Sequence, residues 1–454
     1  MSRVPSDFPD RSVCIFGQGY VGLTLAAVMA DMGFDVLGTE IREDVLSLLQ
    51  KGKAHFHEPG LDELVGKLVA RGRLRFKKHV EPNDKPTVFI VTVGTPLGDD
   101  GKVNLSSIKN VSTEIAKHLK PGDMVIMRST VKLGTTRKIV IPILNSAGVP
   151  YDVAFCPERT LEGQALPELR HLPQIVGSVS PHARIRAAQL FSFLTPTVVQ
   201  VSSLETAETI KLVDNTQRDV AFAFANEIAR ICDAVGVSAR EVIQSGKLGY
   251  PRTNLPLPGP VGGPCLEKDP HIMAEGCREL GLDPEITMAA RRINERQPAE
   301  TVDEIRRWLT SKPACPDQLA VTLAGIAFKG RPATDDLRGT MARPILAALR
   351  AAFPRARFRG FDAVVPDQII ARVFDLDPAA SLEQAFDGAN LVVLANNHPC
   401  FAGMPVEQLA ERMATPGLIY DYWNNFDGPE LKLPDGIRYM ALGSHRLVDV
   451  TQAE

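Results

Sequence analysis

The first forty residues show the hydrophobic pattern of a strand, a helix and a second strand. An apolar run, VCIFG at 13–17, enters a glycine-rich turn, and the helix-favouring stretch GLTLAAVMADMGF precedes a second run, VLGTE. Further runs that predict strands are TVFIVTV (87–93), DMVIMRST (123–130) and DVAFCPE (152–158), with helix-period segments between them. Strands that alternate with helices predict a mainly parallel, doubly wound α/β sheet.

The pattern changes in the middle of the chain. Residues 203–235 favour helix without an internal Gly or Pro, which predicts one helix far longer than the average of about 11 to 12 residues. Gly and Pro then crowd into GKLGYPRTNLPLPGPVGGPC, which predicts irregular structure, and helical character returns from about Pro270 to Leu309.

A second α/β block follows. Its strand candidates are QLAVTLAGIAF (318–328), RFRGFDA (357–363), ANLVVLAN (389–396) and GLIYDYW (417–423). We therefore expect two doubly wound Rossmann-like lobes joined by a central helical region with a long helix. The expected domains are 1–203, 204–310 and 311–454.

Composition narrows the functional class. A chain of 454 residues is long enough for two or three domains, and 44% hydrophobic with 23% charged residues is ordinary for a soluble protein. The formal net charge of −3 gives no broad electrostatic reason to bind nucleic acid or an anionic membrane. The N-terminus lacks an apolar signal core and no run of about 18 apolar residues appears, so we expect a cytoplasmic protein.

The cysteines predict neither disulfides nor a metal site. They are odd in number and scattered, and none forms a CxxC or CxxH pair; their positions are Cys14, Cys156, Cys232, Cys265, Cys277, Cys315 and Cys400. We therefore expect free thiols in a reducing compartment and no bound metal.

A dinucleotide-binding pattern lies in the first βαβ unit. Gly17, Gly19 and Gly22 form GxGxxG between a strand and a helix, and Glu40 ends the next strand. The first glycine permits a tight turn, the second lets the backbone approach a pyrophosphate, and the third allows close packing of the helix. Glu40 would bind an adenine-ribose diol and repel a 2'-phosphate, which favours NAD over NADP.

Cys265 is the candidate nucleophile. Three glycines and three prolines precede it within eight residues, and Lys268 and Asp269 follow it. An intracellular cysteine is more often an inert buried residue. A loop of unusual backbone geometry, a nearby cation that favours the thiolate and small neighbours that leave room for a substrate all favour catalysis instead.

Two further pairs gain weight only in combination. Lys211 and Asn215 stand four residues apart on the predicted long helix, so they share one face. Glu158 and Glu162 flank the end of a predicted parallel strand, where side chains point into the ligand crevice. Alone, each pair is equally consistent with ordinary polar residues on the protein surface.

Together these segments resemble the UDP-glucose/GDP-mannose dehydrogenase family over nearly the whole chain. Seven motifs carry the resemblance in order: GQGYVGLTLA, VGTP (93–96), RSTVKLGTT (128–136), CPERTLEG (156–163), AETIKLVDNTQRDVAFAFANEIA (207–229), PGPVGGPCLEKDP (258–270) and GIAFKGRPATDDLR (325–338). NTQRDVAFAFANE and CPERTLEG are most similar to the UDP-N-acetylhexosamine branch. The resemblance implies UDP-N-acetyl-D-mannosamine as substrate and a uronic acid for surface polysaccharide as product.

The resemblance also implies a mechanism. The family oxidises a sugar C6 alcohol to a carboxylate with two NAD+ and a covalent thioester, here on Cys265. Lys211 and Asn215 would hold the developing oxyanion, and Thr130 and Glu158 would position a water for proton transfer. A water activated near Glu158 or Asp269 would hydrolyse the thioester.

Binding roles follow from the same resemblance. The cofactor contacts implied are Gly17, Gly19, Tyr20, Val21, Gly22, Glu40, Thr95, Thr130, Lys268 and Arg338. The UDP-sugar contacts implied are Glu162, Lys211, Asn215, Arg252, Asn254 and Lys329, with uridine diphosphate on the second α/β lobe. Arg252 would reach into the neighbouring subunit's site, which implies a homodimer or higher homo-oligomer.

Three departures from the family pattern leave the sugar open. Pro264 precedes the nucleophile where acetylhexosamine enzymes commonly have His, and the segment before it is slightly short. Trp423 stands where the family places an Arg, so either Asn424 or another cation substitutes or the sugar preference differs. DLRGTMARP replaces the commoner Ser and Pro after Arg338. The alternatives are UDP-N-acetylglucosamine or UDP-glucose as substrate, and a non-catalytic protein that binds NAD and a nucleotide sugar.

Overall fold

Two compact α/β units make up the computed structural model, which describes residues 3–98, 100–312, 316–426 and 428–444. The first unit comprises residues 1–215 and 271–283, and the second comprises residues 216–270 and 284–454. Cys315, one of the predicted free thiols, lies outside the described residues.

The first unit contains an eight-stranded sheet in the order β3-β2-β1-β4-β5-β6-β7-β8, parallel except where β7 runs against β6. Its strands are β1 Ser12–Phe16, β2 Asp35–Thr39, β3 Leu74–Lys77, β4 Val88–Val91, β5 Met124–Met127, β6 Asp152–Phe155, β7 Gln174–Ser178 and β8 Val198–Val201. Its helices are α1 Tyr20–Met32, α2 Glu43–Gln50, α3 Leu61–Ala70, α4 Ser106–His118, α5 Ile141–Leu144, α6 Ala165–His171 and α7 Pro181–Ser192, with a π-helical turn at Thr136–Val140 and a 3-10 turn at Asn145–Ala147.

Both faces of this sheet are buried. Val13 and Ile15 of β1 belong to one apolar cluster, and Cys14 and Phe16 belong to the other. A strand whose alternate residues enter two cores must be apolar throughout, which is why VCIF has no polar position. The predicted doubly wound sheet is confirmed.

The long helix predicted for the middle of the chain is α8, Leu204–Val235, with 32 residues. It ends where Gly236 takes the left-handed conformation, φ +82°, and its N–H donates to Cys232 O. Two further helices, α9 Ala239–Lys247 and α10 Asp269–Glu279, flank residues 248–268, which form no helix or strand.

The helical stretch expected at 270–309 is in fact two helices. After α10 the chain turns at Gly281, φ +75°, and α11 Glu285–Thr310 begins behind Pro284. The left-handed glycine ends the first helix because its backbone cannot continue a right-handed one.

The second unit contains a six-stranded, all-parallel sheet in the order β11-β10-β9-β12-β13-β14. Its strands are β9 Ala320–Ala324, β10 Arg357–Phe361, β11 Asp377–Pro378, β12 Leu391–Leu394, β13 Gly417–Asp421 and β14 Ile437–Ala441. Its remaining helices are α12 Ala342–Ala352, α13 Asp367–Phe374, α14 Leu382–Phe386, α15 Pro399–Ala402 and α16 Val406–Ala410, with a 3-10 turn at Gly428–Glu430. Here too one strand serves two cores, since Leu391 and Val393 enter one cluster and Val392 and Leu394 the other.

Candidate functional site

The glycine turn after β1 has the geometry that a pyrophosphate requires. Gly17 has φ +88°, and a Cβ on Gly22 would lie 1.8 Å from Gly17 O, so neither position tolerates a side chain. A Cβ on Gly19 would meet nothing within 4 Å. Because α1 begins at Tyr20, its unbonded N–H groups lie beside this open space.

Glu40 is held in place by the backbone and keeps acceptor capacity. Its Oε2 accepts the N–H of Gln18 at 3.2 Å, and its Oε1 accepts the N–H of Arg42 at 3.0 Å. An ionised carboxylate has about four acceptor positions, so roughly two remain for ribose hydroxyls. Gln18 was not predicted from the sequence, because it contributes its backbone N–H to this contact and not its side chain.

The first two residues of α1 lie next to this turn and are both part-exposed. Tyr20 stacks on Phe56 with ring centroids 3.9 Å apart, and Val21 follows it on the helix. The ring of His55 lies 2.8 Å from Gln18 O. The segment 55–58, which was not predicted as part of the site, therefore packs against the residues of the glycine turn.

Polar side chains meet where β4, β5 and β6 end. Thr95 is buried and its hydroxyl donates to Thr130 O at 2.6 Å, so the loops after β4 and β5 are tied together. Glu158, which follows β6, accepts from the guanidinium of Arg128 at 2.5 and 3.0 Å. These are carboxyl ends of neighbouring parallel strands, the edge at which doubly wound sheets bind ligands.

The charge of Glu158 is stabilised although the residue is buried. Burial by itself raises the pKa of this carboxyl, but the Arg128 charge, the Thr160 N–H and the Lys211 charge together hold the pKa below its ordinary value. Arg128 was not predicted as a site residue, because in the sequence it only stands at the end of a predicted strand.

Other carboxylates hold the CPERTLEG segment by its backbone. Glu168 accepts the N–H of Leu161 at 2.6 Å, and Glu58 accepts the N–H groups of Gly163 and Ala165 at 2.6 and 2.8 Å. Glu162 lies between these anchored residues and is part-exposed. Its backbone is thus fixed on both sides, which favours a defined role for its side chain.

Helix α8 brings Lys211 and Asn215 to the first unit, where both are buried. One turn earlier, Glu208 accepts the N–H groups of Gly134 and Thr136 at 2.6 and 2.9 Å. Burial raises the pKa of Glu208 despite these bonds. Glu208 therefore fixes the lysine-bearing part of α8 against the loop that follows Thr130.

In the second unit, Cys265 lies four residues before the start of α10. Its side chain is part-exposed, and its carbonyl accepts the N–H groups of Lys268 and Asp269 at 3.2 and 2.9 Å. Lys268 Nζ lies 2.8 Å from Asp269 Oδ1. The cation expected to favour the thiolate thus shares its charge with Asp269.

A buried polar network clamps both ends of the loop that carries Cys265. At one end, the Asn226 amide accepts the N–H of Gly259 at 2.9 Å and donates to its carbonyl at 3.1 Å. At the other end, Arg291 donates to Leu266 O at 2.9 Å and to Asp219 at 2.6 Å. Asn294 joins the two halves by bonds to Asn226 and Asp219.

None of these four network residues was identified from the sequence. The available signal was their spacing: Asp219 and Asn226 stand seven apart on α8, and Arg291 and Asn294 stand three apart on α11, so each pair shares a helix face. A polar pair that repeats on a buried face indicates a hydrogen-bonded core network.

The glycines beside Cys265 are required by close packing. Gly263 has φ +92° and donates its N–H to Gly339 O at 2.7 Å, while a Cβ on Gly262 would lie 2.2 Å from that oxygen. Arg338 therefore directly precedes a residue bonded to the nucleophile loop. Its guanidinium pairs with Asp336 at 2.7 Å.

The departures from the family pattern find a partial structural explanation. The Trp423 ring lies against Gly259 and its indole N–H donates to Ala395 O at 3.1 Å, so the tryptophan packs on the nucleophile loop. Arg240 donates to Asn424 O at 2.9 Å. The cation beside this segment is thus Arg240, on α9. Nothing in the structure explains Pro264.

The remaining predicted substrate residues lie in the second unit. Lys329 Nζ lies 5.2 Å from the centroid of the Phe328 ring, and the guanidinium of Arg252 lies 5.4 Å from that of Tyr250. Arg252 and Asn254 are exposed. The predicted site residues therefore divide between the two units, with Cys265, Arg252, Asn254 and Lys329 in the second and the strand-end residues with Lys211 and Asn215 in the first.

Two absences concern the described residues alone. Among them no cluster of three or more His, Cys, Asp or Glu side chains could hold a metal ion. No helix in the described part of the chain combines the length and the apolar character that a membrane span needs.

Sequence models of the UDP-glucose/GDP-mannose dehydrogenase family match three consecutive parts of the chain. The NAD-binding domain matches residues 11–195, the central domain residues 205–296 and the UDP-binding domain residues 322–428.

Individual relatives cover most of the chain. A UDP-N-acetyl-D-mannosamine dehydrogenase of Pyrococcus horikoshii is 32% identical over 88% of this chain and 93% of its own. An NDP-N-acetyl-D-galactosaminuronic acid dehydrogenase of Ralstonia nicotianae is 32% identical over 90% and 95%. The solved structure of a UDP-D-ManNAc dehydrogenase from Pyrococcus horikoshii has a TM-score of 0.85 at 31% identity, covering 96% of this chain and 99% of that one.

Proposed function

This chain belongs to the UDP-glucose/GDP-mannose dehydrogenase family and is an NAD-dependent UDP-sugar dehydrogenase, and from that premise we propose that it oxidises UDP-N-acetyl-D-mannosamine at C6 to the uronic acid. The observation that carries the proposal is the Cys265 loop. Its thiol is part-exposed, and buried polar residues hold both ends of the loop. The names of the relatives support the acetylhexosamine branch. We expect the product to serve surface polysaccharide synthesis in the cytoplasm, where thiols stay reduced.

The residues of the first unit fit NAD. Its pyrophosphate would lie over Gly19 at the start of α1, and its adenine ribose would bind Glu40; the other proposed contacts in this unit are Gly17, Tyr20, Val21, Gly22, Thr95 and Thr130. The family resemblance adds Lys268 and Arg338, which belong to the second unit. The crowding at Gly22 and the open space at Gly19 favour this placement. When bound, NAD+ accepts one hydride in each of two oxidations.

Cys265 carries the proposed covalent chemistry. Lys211 and Asn215 would stabilise the oxyanion that forms as the C6 hydroxyl loses its proton. The Cys265 thiolate then adds to the aldehyde, and the resulting hemithioacetal loses a second hydride to become a thioester. Water hydrolyses the thioester to the carboxylate and returns the thiol, with Thr130 and either Glu158 or Asp269 as the groups near that water.

The UDP moiety would bind through local charge, since the chain as a whole has a net charge of −3. The proposed contacts to the whole UDP-sugar are Glu162, Lys211, Asn215, Arg252, Asn254 and Lys329. Cations at Lys329 and Arg252 can each form charge-assisted bonds to phosphate oxygens.

We propose a homodimer as the smallest active unit, with Arg252 completing the partner's site. Phe224 and Ile231 of α8 are each 52% exposed and stand seven residues apart, with Val235 four further on. This spacing makes one apolar stripe on the helix, which a second copy of α8 would bury. Arg252 follows this stripe in sequence and is exposed.

A substrate panel tests the proposed reaction. UDP-N-acetylmannosamine, UDP-N-acetylgalactosamine, UDP-N-acetylglucosamine, UDP-glucose and GDP-mannose are compared by NADH absorbance. We expect the first to give the highest kcat/KM and two NADH per sugar consumed. Cys265→Ser should form no uronic acid, and full turnover by this variant would contradict the thioester. Calorimetric binding without NADH from any sugar would instead favour a non-catalytic binding protein.

Mixing two inactive variants tests the shared arginine. Arg252→Ala and Cys265→Ser subunits are co-expressed with different tags, and the hybrid is compared with each parent. If Arg252 acts in the partner's site, each hybrid dimer contains one complete site of two, and the purified hybrid recovers about half of wild-type activity. Activity no higher than that of the parents would place Arg252 in its own subunit's site.

A further inference from the structure

The indole ring of Trp423 lies directly on the backbone of the loop that carries Cys265. A Cβ on Gly259, the residue at which this loop begins, would stand 2.9, 3.0 and 3.2 Å from the ring atoms Cη2, Cζ3 and Cε3. Carbon atoms in close-packed interiors keep larger separations, so the ring already fills the space that a side chain would need. Residues 258–261 are buried. The contact between Trp423 and Gly259 is therefore tight and part of a packed interior.

The position of the Trp423 ring is fixed by two neighbouring strands of the second sheet. Its indole N–H donates to Ala395 O at 3.1 Å, and Ala395 directly follows β12. Its backbone N–H donates to Oδ1 of Asp421 at 2.9 Å, and Asp421 is the last residue of β13. Because β12 and β13 pair with each other, both anchors of the tryptophan belong to one rigid edge.

The backbone of Gly259 has a second restraint, and the two restraints act in different ways. The Asn226 amide accepts its N–H and donates to its carbonyl, which fixes the direction of this peptide segment. The Trp423 ring limits how closely the same segment approaches the strand ends. Both are needed to define where the loop lies.

A shift at Gly259 would be passed on toward Cys265, because the intervening glycines are also closely packed. Gly263 donates its N–H to Gly339 O at 2.7 Å, and a Cβ on Gly262 would lie 2.2 Å from that oxygen. A segment with no free space beside it moves as one piece. The place of the thiol therefore depends on the contact six residues before it.

We propose that Trp423 is a positioning residue for Cys265: its ring sets the distance between the Cys265 loop and the strand ends of the second unit. This inference rests on the proposed function, in which the Cys265 thiolate adds to the sugar aldehyde. Such an addition requires reacting atoms about 3 to 3.5 Å apart, and a misplacement of about 1 Å can lower the rate about 100-fold.

An exchange of size at the contact tests the proposal in the full-length enzyme. Gly259→Ala adds a methyl group against the indole, and Trp423→Leu removes the ring atoms that this methyl would meet. Each substitution alone should lower kcat about tenfold with an unchanged KM for NAD+, since neither changes the glycine turn or Glu40. In the double variant the methyl group has room, so kcat should recover at least about threefold relative to Gly259→Ala.

Two matched variants identify the cause of these effects. Trp423→Phe keeps an aromatic ring and loses only the hydrogen bond to Ala395 O, so it should retain about half of wild-type kcat. Gly262→Ala places a methyl group 2.2 Å from Gly339 O, which Trp423→Leu leaves in place. Addition of Trp423→Leu to Gly262→Ala should therefore bring no recovery.

Alkylation of the thiol supplies a readout that needs no substrate. Cys265 and Cys277 both have part-exposed side chains, and peptide mass spectrometry follows the reaction of each with iodoacetamide. In Gly259→Ala the rate at Cys265 should change at least about threefold, because access and thiolate fraction both depend on where the loop lies. It should return toward the wild-type rate in the double variant, while Cys277 keeps its rate in every variant.

Three results would overturn the proposal: wild-type kcat and alkylation in Trp423→Leu, a double variant no better than Gly259→Ala, or a change at Cys277 as large as that at Cys265. The last would indicate general loosening of the fold. If Gly259→Ala does not fold, kcat and Cys265 alkylation in Trp423→Leu and Trp423→Phe still decide between the outcomes.

Failure of the proposed function is distinguishable from failure of this inference. It would appear in the wild-type enzyme as no NADH from any sugar of the panel. In that event the alkylation rates of the same variants still show whether the Trp423 ring controls the position of Cys265.

Discussion

The two α/β lobes share one backbone arrangement after their first strands but differ in the residues at the carboxyl ends of the strands. In the first, Gly17 has φ +88° and donates its N–H to Thr39 O at 2.9 Å. In the second, Gly325 has φ +92° and donates its N–H to Phe361 O at 2.8 Å. Each glycine follows a central strand, and each acceptor ends the neighbouring strand.

An acidic residue follows the second strand in both lobes, yet its hydrogen bonds differ. Glu40 accepts two N–H groups and keeps room for a ligand. Asp362 accepts four, from Ile326, Ala327, Val364 and Val365, at 2.6 to 3.0 Å. The carboxylate of the second lobe thus uses its acceptor positions for backbone N–H groups of neighbouring loops.

The helix that follows the glycine also differs. In the first lobe α1 begins three residues after Gly17, whereas in the second α12 begins only at Ala342, behind a loop that contains Lys329, Arg331 and Arg338. A dinucleotide pyrophosphate needs the tight turn and the helix N-terminus. One scaffold thus presents a glycine turn and a helix N-terminus in one lobe and cationic side chains in the other, and we expect NAD to bind at the first.

The largest expected effect comes from the crowded glycine of the first lobe. Gly22→Ala places a methyl group 1.8 Å from Gly17 O, so we expect it to weaken NAD binding by at least about 100-fold and to destabilise the fold by about 3 kcal/mol. Gly19→Ala, with nothing within 4 Å, should lower NAD affinity without lowering the unfolding temperature. Calorimetry and thermal unfolding measure the two effects.

The matched control lies in the second lobe. Gly325→Ala also creates a close contact with backbone, since its Cβ would lie 2.7 Å from Asn396 N, but it should leave NAD affinity unchanged. If Gly325→Ala weakened NAD binding as much as Gly22→Ala does, the assignment of NAD to the first lobe would be wrong.

A smaller effect should separate the two acidic residues. Glu40→Gln loses charge-assisted bonds to the ribose, and we expect about tenfold weaker NAD binding with little change in stability. Asp362→Asn loses acceptors for four backbone N–H groups, and should lower the free energy of unfolding by about 2 to 3 kcal/mol with unchanged NAD affinity. Titration with NAD measures the affinity of both variants, and urea denaturation measures their free energies of unfolding. If both substitutions changed NAD affinity and stability equally, the two acidic residues would not have different roles.

Patterns local in sequence were the ones that could be predicted. The apolar runs around residues 13–17 and 391–394 mark strands buried on both faces, and the absence of Gly and Pro from 204–235 marks α8. Gly17, Gly19 and Gly22 could be identified because the turn imposes its residue types at fixed spacing.

What the sequence could not reveal depends on long-range pairing. Arg128 reaches a residue 30 positions away, and Arg291 reaches one 72 positions away. Five short strands also escaped prediction: β3, β7, β8, β11 and β14. All but β7 lie at sheet edges, where strands carry exposed positions and lack a continuous apolar run, and β7 is buried but only five residues long. Such features are set by tertiary structure, and no periodicity in the chain encodes them.

The smallest expected effect concerns two buried carboxylates, one in each lobe. Burial raises the pKa of Glu158, but the Arg128 and Lys211 charges and the hydrogen bonds from Arg128 and Thr160 together lower it below 4.5. Burial raises the pKa of Asp421 above 3.8, although Trp423 N–H, Tyr439 OH and Asn425 donate to it. Glu158 therefore stabilises the fold above pH 4.5 and loses that contribution as the pH falls through its lowered pKa. Asp421 has its full contribution below pH 3.8 and loses it as the pH rises through its raised pKa.

Opposite slopes of stability against pH should follow. Between pH 7 and pH 3.5, the unfolding free energy of the wild type relative to Glu158→Gln should fall, and that relative to Asp421→Asn should rise, each by about 1 kcal/mol. Urea titrations of the three proteins at five pH values measure both slopes. Parallel slopes would mean that Arg128 and Lys211 do not control the charge of Glu158, because the two carboxylates otherwise share burial and neutral hydrogen-bond donors and differ chiefly in these two cations.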